Sequence, residues 1–252
     1  MIRYENHLSA VHKMPLFGRI ARWLSKKLGV SQKLEFLREL AAKYGYEIDA
    51  KLRYLFLLES PLATPTEGER KILCNPLSLR KLSFEDIEGE FLHEHLHTIF
   101  KEKYPEVFKK ATVEYQDLFS ELFFDVAIPT YITSAVLDYY DYKFLAKEVL
   151  TPEEYRKYFR GECKVAKDFL SNFCKTLTEE KEIDIGSIVV AVYASLLLEK
   201  SNEIKEFTSK YNPEAAELIK KIENILSKIN KPEDILTALE KIYEEIKESP
   251  LK

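Results

Sequence analysis

Cysteine is scarce. Three residues in 252, Cys74, Cys163 and Cys174, are too few and too scattered for a disulfide framework or a C-x-x-C metal site, and they read as reduced thiols. A basic excess is also missing. The formal net charge is -4, which leaves no basic face of the kind a nucleic-acid partner requires, so no nucleic acid is expected. No apolar run is long enough to span a bilayer. The longest, Ile185 to Leu198, is interrupted by Gly186 and Ser187 and reads as a buried helix. The opening Met1 to Glu5 lacks the apolar run of a signal peptide, so the expected location is the cytoplasm, without stable membrane insertion. Glutamine occurs only at Gln32 and Gln116 against abundant Lys and Glu, a bias seen in thermophile proteins.

What is present supports a folded chain. Hydrophobic residues make up 46%, enough for a sizeable core, and charged residues at 32% imply a well-solvated surface. Ile20, Trp23, Leu24 and Leu28 share a face of a short amphipathic helix over 15–28; packing of Trp23 into a core accounts for it better than membrane contact. A second helix runs from a Ser31 cap to Tyr44, with Gly45 as its stop. Leu52 to Leu58 and Lys71 to Cys74 read as strands, the second ended by Asn75-Pro76.

Beyond Ser83 the pattern is helical. Ser83 with Asp86 resembles a capping box that opens a helix to about Lys103. Pro105 starts a helix expected to reach about Ala127 and to stop at Pro129. Tyr131 to Leu150 forms another. Thr151-Pro152-Glu153-Glu154 and Asn212-Pro213-Glu214 are helix starts, and the segments over about 213–229 and 232–248 form an αα-hairpin. The expected fold class is therefore mainly α (α+β), with a small β-sheet ahead of two site helices and a helical extension. Residues 1–150 are expected to form the core and 151–252 the extension.

Three of the five histidines fall within His93-Glu94-His95-Leu96-His97. Residues 93 to 97 match H-E-x-x-H. On an α-helix, positions i and i+4 lie about 40° apart, so His93 and His97 project side by side and can share one zinc ion. Glu94 sits on the flank of that face, placed to accept a proton from an attacking water without ligating the metal. His95 points roughly 160° away and reads as a packed or hydrogen-bonded histidine. A catalytic zinc site takes three protein ligands. The following helix offers Glu114, Asp117, Glu121 and Asp125 within about 80° of arc. That stripe is either a solvated face or, given Leu118, Phe119, Leu122 and Phe123 around it, a buried acidic site that needs a cation.

H-E-x-x-H followed on the next helix by Glu121-Leu122-Phe123-Phe124-Asp125 resembles the gluzincin zinc peptidases, and the compact arrangement is similar to the minigluzincins. The resemblance covers roughly residues 52 to 129. It implies Glu121 as the third ligand and Asp125 as the carboxylate that orients His93. It also implies an edge strand, here Ile72, Leu73, Cys74 and Asn75, that binds an extended peptide by strand addition. The residue stabilising the oxyanion stays open among Tyr115, Tyr131, Tyr139 and Tyr140. The function implied is a Zn2+-dependent metallopeptidase that hydrolyses a peptide or protein substrate, with Glu94 as general base. The alternative is a catalytically silent or latent zinc-bound regulatory or peptide-binding protein of the same fold. On this reading Glu121→Ala lowers zinc affinity most, and Asp125→Ala lowers it by roughly 10–100-fold.

Overall fold

The computed structural model describes residues 29–51, 62–65, 70–123, 125, 127–179 and 183–251. The helix expected over 15–28 and the strand expected over 52–58 lie outside the described residues. Helix α1 spans Val30–Lys43, entered through Gly29 at φ 67 without a side-chain cap, one residue ahead of the expected Ser31 start. Its stop is Gly45, at φ 76. There the Tyr46 N–H donates to Ala41 O and the Gly45 N–H to Ala42 O, the bond pair of a Schellman ending.

Three short strands follow: β1, Glu47–Ala50; β2, Leu62–Ala63; and β3, Lys71–Cys74. The order is β1-β3-β2. β1 runs parallel to β3 along its whole length, and β2 pairs antiparallel with Leu73 and Cys74. Alternation along β3 buries Ile72 and Cys74 and leaves Lys71 and Leu73 part-exposed, the period of a strand with one covered face. β3 is therefore the central strand and not the edge that the sequence suggests. Ile72, Leu73 and Cys74 already bond to sheet neighbours. Asn75 is buried, and its Oδ1 accepts from the Leu77 N–H at 3.1 Å. Burial pushes the Cys74 thiol up to about 12, which keeps it protonated and inert.

Helix α2 spans Phe84–Lys103. Its start is the expected capping box: the Asp86 N–H donates to Ser83 Oγ at 3.0 Å, and the Ser83 N–H to Asp86 Oδ2 at 2.9 Å. Phe91 is fully buried against the rings of Tyr44 and Tyr46, with centroids at 5.1 and 5.7 Å. The chain forms two compact units, Met1–His95 and Leu96–Lys252, and the division falls inside the unbroken α2, whereas the sequence reading draws it near residue 150.

In the second unit, α3 (Pro105–Lys109) continues through a π-helical turn, Lys110–Glu114, into α4 (Tyr115–Ser120). α5 spans Ala127–Tyr140 and passes through a second π turn, Asp141–Leu145, into α6 (Ala146–Val149). Pro129, expected to stop a helix, sits in the first turn of α5, where the missing N–H has no helical partner to lose. α7 spans Pro152–Thr178 behind the expected capping box of Thr151 and Glu154. α8, Ile185–Leu197, is buried along nearly its whole length and packs on α5 and α7. α9 (Ser201–Tyr211), α10 (Pro213–Leu226) and α11 (Glu233–Glu248) complete the unit; α10 also packs on α8 and forms the expected hairpin with α11. The fold is mainly helical with a small sheet. No helix among the described residues is long and apolar enough to cross a membrane.

The Phe91 ring joins α1's exit to α2, so its removal leaves a cavity under the helix that carries three histidines. Phe91→Ala is expected to cost about 3–5 kcal/mol. Urea unfolding of the two proteins, compared at equal slope, measures the loss.

Candidate metal centre

Between Ala127 and Tyr142 the only charged side chains are Asp138 and Asp141. Three positions apart on a helix, they share a face. A carboxylate in an apolar bundle needs a partner. Here the partner is His97. Its Nε2 lies 3.2 Å from Asp138 Oδ1 and its Nδ1 lies 3.1 Å from Asp141 Oδ2. The side chains of His97 and Asp138 keep 14% and 15% of their exposure, whereas Asp141 keeps 2%. The Asp138 and Asp141 oxygens that approach the ring are both buried.

Along α2 and α5–α6 the contacts advance together. His97 meets Asp138 and Asp141, Phe100 packs edge-on against Tyr140 at 5.5 Å, and the Lys103 Nζ reaches Glu148 Oε1 at 2.6 Å. The buried ring pair and the ion pair fix the register that brings the acids to His97. One turn ahead of His97 on α2 is His93, and one ligand atom each from His93, His97 and Asp138 lies within 4.8 Å of the others.

Those donors fit a metal ion. Two ligands held at 2.0–2.2 Å by one tetrahedral zinc lie roughly 3.3–3.5 Å apart. The observed 3.2 Å between His97 Nε2 and Asp138 Oδ1 is close to that separation. Two imidazoles and a carboxylate are a nitrogen–oxygen donor set of the kind that zinc accepts.

Polar groups from the later helices surround the acids. Tyr158 on α7 is fully buried, and its phenol is pushed well above its ordinary value by burial first, then by the negative charge of Glu162, Asp141 and Asp138. Tyr193 on α8 donates to Glu162 Oε2 at 2.7 Å. Burial also raises the Tyr193 phenol, with Glu162 the next cause. Both hydroxyls therefore stay protonated, and that of Tyr193 serves as a donor to Glu162.

The expected site residues separate. His93 and His97 come together; Glu121 does not join them. It is exposed at the end of α4, where its N–H donates to Leu118 O. Asp125 is exposed too, and its Oδ1 accepts from the Ala127 N–H at 2.9 Å, capping the start of α5. Glu114 and Asp117 are likewise exposed, so the acidic stripe is the solvated face of its helix. The apolar neighbours that suggested burial cover only the opposite side, where Phe108, Ala111 and Phe119 are buried. Asp138 stands with the histidines in place of Glu121. Its signal in the sequence is the isolated D-x-x-D of an otherwise uncharged helix.

Glu94 is buried, and its main-chain carbonyl accepts from Thr64 Oγ1 at 2.9 Å. His95 is packed as expected, sharing a 2.8 Å hydrogen bond with the Tyr46 hydroxyl and lying in contact with Phe91. Of the tyrosines considered for an oxyanion, Tyr139 and Tyr140 are buried core residues, and Tyr131 is exposed.

No protein-family model, curated protein or solved structure is significantly similar to the chain.

The placement of the acids sets a direct comparison. Asp138→Ala is expected to weaken metal binding by more than the roughly 10–100-fold typical of losing an outer partner. Glu121→Ala is expected to leave binding unchanged. Titration of both variants with zinc against a chromophoric chelator measures the difference.

Proposed function

We propose that this chain is a zinc-dependent metallopeptidase. The observation that carries the reading is the His93, His97 and Asp138 group, close enough to bind a metal ion, on a helix in which Glu94 follows the first histidine. His93, His97 and Asp138 hold the ion. When bound, it supplies Lewis acidity toward a scissile carbonyl and toward water.

The remaining chemistry belongs to the side chains. Glu94, about 100° around the helix from His93, takes the proton of the attacking water and passes it to the leaving amine. Substrate enters where the His97 and Asp138 side chains keep part of their exposure. The buried side, toward Asp141 and Tyr158, excludes water. The substrate is a peptide or protein, and the site of action is the cytoplasm. Zinc is preferred because its chemistry suits a helix that also carries a carboxylate base, although two histidines and one carboxylate also hold iron(II).

The test uses protein purified without chelator. Elemental analysis is expected to find one zinc per chain, and a mixed-sequence peptide library is expected to be cleaved. Glu94→Gln is expected to keep its zinc and lose hydrolysis by roughly 10²–10⁴-fold, because the amide accepts no proton. Zinc at full occupancy with no cleavage by the wild type points to the silent, peptide-binding alternative. Iron in place of zinc, or no metal at all, overturns the proposal.

A further inference from the structure

The Asp138–Asp141 pair presents two carboxylates to one imidazole, from opposite sides. Asp138 Oδ1 lies 3.2 Å from Nε2, and that oxygen is buried although the side chain as a whole keeps part of its exposure. Asp141 Oδ2 lies 3.1 Å from Nδ1, within hydrogen-bond reach although not yet in its alignment, and is almost wholly enclosed. The two ring nitrogens point away from each other, so a cation held by Nε2 and Asp138 is out of reach of a carboxylate seated at Nδ1. Asp141 is thus not a fourth ligand to that ion.

From this arrangement we infer that Asp141 is the positioning residue of the metal centre: with a small turn of the ring into line, its carboxylate accepts the Nδ1–H of His97 and so holds Nε2 bare and toward Asp138. The inference rests on the metal reading given above. It differs from the role expected of Asp125 in residue and in element, and it concerns the second histidine of the motif, not the first.

Three observations support it. First, a neutral imidazole carries one N–H, and which nitrogen carries it is set by the partner of the other. A buried carboxylate at Nδ1 selects the form that leaves Nε2 free to ligate. Second, charge closes. His93 and His97 are neutral as ligands, and the two aspartates together match a divalent cation. Third, Asp141 opens the π turn that joins α5 to α6. Such turns recur at functional sites. The fully buried Tyr158 on α7 lies within electrostatic range of Asp141, and Glu162, one helical turn further on, is held by the 2.7 Å bond from Tyr193.

The experiment compares wild type, Asp141→Ala and Asp141→Asn, each full length. Zinc affinity is measured by chelator competition, and the cobalt(II)-loaded proteins are compared by visible absorption. Asp141→Ala is expected to weaken zinc binding about 10–100-fold and to shift the cobalt bands, because the ring is no longer held. Asp141→Asn keeps an acceptor oxygen of the same shape, so its affinity is expected to fall between the two and its cobalt spectrum to stay close to wild type. If Asp141→Ala fails to fold by circular dichroism, Asp141→Asn decides: affinity equal to wild type overturns the inference, and a measurable loss supports it. Variants that bind zinc like the wild type, with unaltered cobalt bands, overturn the inference and leave the metal reading intact. A wild type that binds neither zinc nor cobalt removes both.

Discussion

Negative charge placed inside a helical bundle is the constraint on which the second unit depends. Asp138 and Asp141 lie on a helix that is otherwise uncharged from Ala127 to Tyr142, and Asp141 is nearly cut off from water. A carboxylate in that setting costs several kcal/mol unless a cation or donors meet it. His97 meets both. The register of α2 beside α5, including the Phe100–Tyr140 ring contact and the Lys103–Glu148 pair, is what that meeting requires. A mainly apolar contact could slide by a turn; a histidine between two acids could not.

The same requirement explains why polar side chains appear on α7 and α8. α8 is apolar nearly all round, yet Tyr193 turns its hydroxyl to Glu162. Tyr158 is among the largest fully buried side chains. Burial and the negative charge of Glu162, Asp141 and Asp138 keep its phenol protonated. Tyr158 and Tyr193, past residue 150, thus belong to the surroundings of the two acids.

Local chemistry was the legible part of the sequence. The Ser83 and Thr151 boxes, the Gly45 stop and the side-by-side projection of His93 and His97 follow from a few neighbouring residues, and the structure has them. Pairing between distant segments was not legible. Nothing within Lys71 to Cys74 records that β1 would lie parallel beside it, so a central strand passed for an edge. Glu121 and Asp125 attracted attention through apolar neighbours, but apolar residues on one face say nothing of the other, and Asp125 turned out to serve the next helix as a cap. Asp138 and Asp141 carried the stronger physical signal: a charge with no compensating neighbour in its own helix must find one elsewhere in the fold.

Chain order gives the centre a schedule. A ribosome delivers residues in sequence, and segments settle as they emerge. α2, with both histidines and Glu94, appears well before α5 supplies the acids, and those acids stay bathed in water until Tyr158 and finally Tyr193 arrive to enclose them. A nascent chain therefore displays its H-E-x-x-H helix, from the synthesis of residue 97 until that of residue 193, without the wall that later encloses the two acids.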